Sequence, residues 1–211
     1  MEQQIIIQAA IQLFNREPVQ TLAPEHEWDE QLGGKLQSLE PGTSAHARAL
    51  KSGLLLWNDQ LMESHTISQS IDTQEGSYWH GIMHRMEPDY SNAKYWFART
   101  GNHALHHSLL QVTHAVLEQN KDEWLRTIDE LSDKKAAHRR ACLAIADWAS
   151  WDAAAYVDLV EAQPHVDDEA SERLLRLIQR TELALLLDHS YYAEYGGRLF
   201  ESLVQHQSSA E

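Results

Sequence analysis

Apolar residues return every three or four positions along nearly the whole chain, and almost nowhere do they alternate. Leu50, Leu54, Trp57 and Leu61 keep that spacing, as do Leu105, Leu109, Val112 and Val116. A period of three to four marks one face of a helix, whereas a half-buried strand needs a period of two. Only Ile5-Ile6-Ile7 reads equally as strand or helix. No repeat of fixed length and no Ser/Gly/Pro-rich linker divides the chain. The expectation is one all-α domain over residues 1–211, a bundle of about seven to nine helices with short connections.

Capping residues and helix breakers set the boundaries. Residues 2–15 read as a first helix. Residues 17–43 hold Pro18, Pro24, Pro41 and Gly33-Gly34, which reads as loop with one short helix around Trp28. A long helix follows from Ser44 to about Ser68, capped by Thr43 or Ser44. Asp72 and Glu75 have the spacing of a capping box, placing the next helix start near Thr73. Pro88 stops that helix at Glu87, because the residue before proline avoids helical geometry. Asp89 then caps a helix from Tyr90 to Thr100, closed by Gly101. Further helices are expected over 103–119, 122–131 and 134–149. Asp152 caps another that ends before Pro164, and a last long one runs over 168–195 to Gly196-Gly197. Residues 198–211 read as a tail that frays.

Composition narrows the function. A formal net charge of −15 opposes binding to nucleic acid or to an anionic membrane, since both need a basic footprint. No apolar run approaches the roughly 20 residues of a membrane span, and the N-terminus lacks the basic start and long apolar core of a signal peptide. Cys142 is the single cysteine, which excludes an internal disulfide and a cysteine metal cluster and fits the cytoplasm. Its Ala-rich helical setting reads as buried and inert. Gly-rich phosphate loops, nucleophile elbows and dinucleotide fingerprints are missing from the sequence.

One stretch, DTQEGSYWHGIMHRMEPDYSNAKYWFARTG at 72–101, concentrates the chemistry, within a candidate site region over 44–101. Its aromatic residues call for burial and draw His80, His84, Arg85, Glu87 and Lys94 in with them, and buried polar groups must be paired or used. His80 and His84 stand at i and i+4 on one helix face, the spacing of helical zinc and iron sites. His65, from the preceding helix, is the third candidate ligand for a divalent zinc or iron ion; Glu75, Glu87 and Asp59 are alternatives. Without a metal, His65 and His84 serve as acid and base, with Glu87 or Asp59 orienting them. Arg85 and Lys94 would hold an anion, and Trp79, Tyr95 and Trp96 would wall the pocket. Each has a plainer alternative: a core histidine, an internal ion pair of Arg85 with Glu87 or Asp89, an aromatic that is simply packed. Gly81, between the two histidines, admits something at close range. The histidines of the next helix, His103, His106, His107 and His114, fall on several faces; His106 or His107 could reach the pocket. His189, in an apolar helix beside Asp188, reads as a core histidine.

The string GSYWHGIMHRMEPDYSNAKYWF, preceded by LLLWNDQLMESHTISQ, resembles a family of helical bacterial proteins with a core like WHGIMHR-x-EPD-x-x-NAKYWF. WDAAAYVDLVEA and LIQRTELALLLDHSYY extend the resemblance over roughly residues 45–195. It implies a helical fold and assigns no activity. Three functions remain in play. The first is an enzyme on a small anionic metabolite, with His65, His80 and His84 at its centre. The second is a binding module using the same pocket. The third is a structural or interaction protein whose polar motif is a packed core.

Overall fold

The structure is a computed structural model that describes residues 2–40 and 42–200. It is all-helical, with ten α-helices and no strand among the described residues. The helices are α1 (Glu2–Phe14), α2 (Glu30–Gln37), α3 (Ala45–Trp57), α4 (Leu61–Ser68), α5 (Gln74–Met86), α6 (Tyr90–Thr100), α7 (Leu105–Thr127), α8 (Asp133–Leu143), α9 (Ala153–Ala162) and α10 (Glu169–Tyr195). Short 3₁₀ turns follow α7, α8 and α9. No described helix is long and apolar enough to cross a membrane.

Helix starts follow the expected caps in most places. Asp89, Asp152 and Asp168 each accept a backbone N–H from the first turn of α6, α9 and α10. At α5 the cap is Thr73, whose hydroxyl accepts from the Gly76 N–H. Glu75 is therefore no capping-box partner. It is buried, with His46 Nδ1 at 2.6 Å and His189 Nε2 at 3.6 Å.

The long helix expected over 44–68 is two helices. Asp59 takes a positive φ of 66°, a left-handed geometry that a non-glycine residue rarely adopts and a helix cannot continue through. The break is held by polar groups. Asp59 pairs with Arg16 at 2.8 Å and accepts from Gln20 at 2.5 Å. The Asn58 amide donates to Glu27, to the Asp29 carbonyl and to Gln60. Gly33 and Gly34, expected in a loop, lie inside α2. The helices expected over 103–119 and 122–131 run together as α7, which offsets the broken helix in the count; ten helices are slightly more than the seven to nine expected. Of the tail expected to fray, residues 198–200 are described. Phe200 is buried, its ring 5.0 Å from Phe14 and 6.1 Å from Trp57; the remainder lies outside the described residues.

The core sits between α3, α5, α7 and α10. Every residue of α5 from Glu75 to Met86 is buried. That is unusual for a helix carrying a Glu, two His and an Arg, because each polar group must find a partner inside. Two glycines let α5 sit so deep. Gly53 of α3 faces the Trp79 indole, where a Cβ would come within 2.5 Å of the ring. Gly81 faces Phe97 of α6, whose ring would be 3.1 Å from a Cβ.

Candidate functional site

The contact between Gly81 and Phe97 draws α6 against α5 and sets Trp96 over the histidine face. The Trp96 ring stacks on His80 with centroids 4.0 Å apart. One turn along α5, His84 stacks on the other side of His80, at 4.7 Å. The turn at Asn58–Gln60 folds α4 back along α3, and the two helices pack closely where Ser52 Oγ meets Ser64 Oγ at 2.9 Å. Ser64 is next to His65, whose ring lies 4.8 Å from His80 and 5.3 Å from His84. Two helices thus deliver three imidazoles to one point, and one ring nitrogen from each lies within 4.8 Å of the others.

The surroundings leave the nitrogens of His80 unused. His80 is 3% exposed, and neither of its ring nitrogens has a hydrogen-bond partner among the described residues. Burial, with His84 and His65 alongside, lowers its pKa to about 4, so the ring is neutral at pH 7 and keeps a lone pair. His84 is also lowered by burial, with Glu87 working against the shift. Its Nδ1 lies 3.3 Å from Glu87 and 3.9 Å from Asp89. The Asn92 amide nitrogen stands 3.4 Å from His84 Nδ1 and 3.1 Å from Nε2. The two lone-pair axes of an imidazole diverge, so an atom nearly equidistant from both nitrogens lies on neither axis. A carboxylate on Nδ1 is the outer contact that commonly orients a metal-binding histidine.

The fit to an ion is close. Zinc–nitrogen bonds of about 2.0–2.1 Å place tetrahedral ligand atoms roughly 3.4 Å apart. A 4.8 Å spread needs the rings to draw in by about 1 Å, within reach of side-chain rotation. Three protein ligands leave a fourth position open, which separates catalytic zinc sites from closed structural ones. His65 is half-buried and Glu87, Asp89 and Tyr95 are exposed, so that side of the cluster faces solvent.

The remaining expected site residues are placed elsewhere. Trp79 is fully buried on Gly53, away from the histidine face. Arg85 is also fully buried, one helical step of about 100° from His84. Its partner is neither Glu87 nor Asp89 but Glu182 of α10, at 2.6 Å. Tyr156 lies beneath the guanidinium at 4.7 Å, and the Tyr78 hydroxyl donates to the same carboxylate at 3.0 Å. Burial alone would lower the Arg85 pKa, but the Glu182 carboxylate raises it overall. Arg85 is thus a charged strut of the core. Lys94 reaches Asp158 and Glu161 on α9. Tyr95 is 53% exposed, meets Trp96 edge to face and accepts from the Arg99 guanidinium, and it contacts none of the three histidines. Of the expected aromatic wall, Trp96 alone contacts the histidines. Asp59 is held by Arg16 and Gln20, and Glu75 lies in a second cluster.

In that second cluster His103, His106 and Tyr78 pack edge to face, and His189 lies 5.0 Å from His103. His189 is no core residue; its side chain is 39% exposed beside Glu75. Sequence reasoning overlooked Glu182 and His46. Glu182 had a signal, as a carboxylate set on the apolar stripe of TELALLL; His46 had none. Cys142 is buried and its thiol is pushed up to about 12 by burial, which makes it inert. Comparison with family models, curated proteins and solved structures gives no match, so the reading of this site rests on its geometry.

Proposed function

We propose that this chain is a metal-dependent enzyme acting on a small molecule, with His65, His80 and His84 holding a divalent zinc or iron ion. The observation that carries the reading is His80, a neutral, buried imidazole with both nitrogens unpartnered among the described residues, set between two further histidines whose ligand atoms lie within 4.8 Å. Core histidines ordinarily hydrogen-bond, and three such rings in contact suit an ion better than each other. A divalent ion held there acidifies a water or polarises a substrate oxygen at its open position.

The side chains around the cluster have separate tasks. Glu87, at 3.3 Å from His84 Nδ1, restrains the orientation of that ring. Exposed beside it, Glu87 and Asp89 are the carboxylates that would take up a proton at this face of the cluster. Trp96 fixes the plane of His80 and walls one side. With Arg85 and Lys94 both paired internally, neither is free to clamp an anionic substrate, which would instead have to be met at the histidine cluster.

The test is elemental analysis of untagged protein purified without chelator. The expected result is a near-equimolar divalent metal, absent from folded His80→Ala and His84→Ala variants. Metal-free protein that also fails to take up zinc or iron on dialysis refutes the reading. A second reading is favoured for part of the motif: Arg85, Tyr78 and Glu182 form a packed polar core that is structural whatever the histidines do.

A further inference from the structure

A cleft of about 600 Å³ opens between α10 and the segment 17–19 that follows α1. None of the three clustered histidines lines it. Its size is that of a small-ligand pocket. The two walls are tied to each other. Arg176 of α10 donates through Nε to the Gln20 carbonyl at 3.0 Å and through a terminal nitrogen to the Val19 carbonyl. Close by on α10, the Gln179 amide donates to the Thr21 carbonyl at 3.0 Å. The opening is thus built into the fold.

Charge is the unusual feature of the lining. Glu169, Glu172, Arg173, Arg176 and Arg180 follow one stripe of α10, and Glu17 lines the cleft from the other wall. Arg176 is occupied by the two carbonyls and by Glu172, at 3.7 Å. The other four charged groups, Glu17, Glu169, Arg173 and Arg180, form no ion pair or hydrogen bond among the described residues. Glu17, Glu169 and Arg173 are exposed, so a ligand in the cleft can reach them. Arg180 is half-buried, its guanidinium over the Phe14 ring at 5.4 Å, which restrains the head group and leaves its N–H donors unpaired. Glu169 and Arg173 stand at i and i+4 in the order that pairs best on a helix, and still do not close on each other.

Two carboxylates and two guanidiniums therefore line one cleft with their charges open. A plain anion is opposed by Glu17 and Glu169, and a plain cation by Arg173 and Arg180. A ligand that carries both charges meets all four. Pro18, Val19 and Leu177 give it an apolar wall. The helix sets its length: Glu169 and Arg180 are about 16 Å apart along the axis, and both side chains can lean inward. An extended tripeptide spans about 10 Å, whereas the two charges of a single amino acid are adjacent. We propose that this cleft binds a short zwitterionic peptide with an apolar side chain, its α-ammonium meeting the carboxylates and its α-carboxylate the guanidiniums. The site is separate from the histidine cluster and does not rest on the metal reading.

The experiment uses the full chain, ¹⁵N-labelled and stripped of metal, titrated with alanyl-leucyl-alanine, with its N-acetyl derivative and with its C-terminal amide. The backbone amides are assigned by triple-resonance methods. The expected result is a saturable shift of Glu17, Val19 and residues 169–180 with the free peptide, and binding about tenfold weaker for each blocked form, the worth of one hydrogen bond to a charged group. Arg173→Gln combined with Arg180→Gln should weaken the free peptide about tenfold and erase its advantage over the amide. Glu17→Gln combined with Glu169→Gln should erase its advantage over the acetylated form. Amides unmoved up to about 10 mM peptide overturn the proposal. So do equal binding of free and blocked peptides, parent-like affinity in the arginine variant, and shifts confined to the histidine cluster. An acetylated peptide that binds as tightly as the free one marks a plain anion site and overturns the zwitterion assignment. If a variant does not fold, the parent's ranking of the three peptides decides alone.

Discussion

Replacing Glu182 by Gln is the sharpest probe of how this fold tolerates charge at its centre. Glu182 and Arg85 are both fully buried, and their closest atoms are 2.6 Å apart. Glutamine keeps the shape and one acceptor oxygen, so the change removes charge and little else. Arg85 cannot follow by losing its proton, and its other neighbours do not neutralise it: Gln179 of α10 is neutral and 3.5 Å away, and Tyr156 of α9 offers its ring face. Leaving a buried charge unpaired costs about 3–5 kcal/mol. At about 2–4 °C per kcal/mol for a domain of this size, the melting temperature should fall by roughly 6–20 °C. The assay is thermal and urea unfolding followed by tryptophan fluorescence. The combined replacement Arg85→Met, Glu182→Leu and Tyr78→Phe removes the pair together with the hydroxyl that donates to it, and should recover most of the loss. A Glu182→Gln variant within about 1 kcal/mol of the parent would refute the reasoning, and with it the view that Arg85 is a structural strut.

Other expectations follow from the same geometry. Zinc at a hundredfold excess over its dissociation constant should stabilise the native chain by about 2.7 kcal/mol, read as a rise in melting temperature that vanishes in His80→Ala. His103, lowered to about 4 by burial with His189 and His106 close by, binds a proton in the unfolded chain at a higher pH than in the folded one. Its contribution to stability is therefore intact above pH 6.5 and is lost as pH falls from there toward 4; His103→Gln should flatten the melting-temperature profile in that window. Asp168 acts in a lower window. Burial works against its ionisation, but the Arg139 and Ser171 hydrogen bonds prevail and hold it below its usual 3.8, so its share is lost only in stronger acid. Gly53→Ala drives a methyl to within 2.5 Å of the Trp79 indole and should destabilise by about 1–3 kcal/mol. Gly34→Ala, inside α2 with no neighbour within 4 Å, should stabilise by about 0.5–1 kcal/mol; circular-dichroism melts of the two variants check the contrast.

Local rules carried a large part of this architecture. The helical period, the caps at Asp89, Asp152 and Asp168, and the stop at Pro88 depend on residues a few positions apart, so they can be read along the chain. So can the shared face of His80 and His84, which is fixed by the helix turn. The break at Asn58–Gln60 could not be read this way, because it is held by Arg16 and Gln20 from a distant segment. The partner of Arg85 could not be read either. Glu87 and Asp89 are nearest in sequence, but Glu182, 97 positions on, is the one buried with it.

The sequence by itself determined that the chain is helical, where most helices start, and that two histidines share a face. Tertiary packing decided what those residues do. Gly53 and Gly81 admit Trp79 and Phe97 and so sink α5 into the core; that burial leaves His80 without hydrogen-bond partners among the described residues and within ligand distance of His65. The physical reason is range. Helix propensity and capping act over one turn, whereas desolvation, ion pairing and the convergence of three imidazoles depend on which segments meet in space.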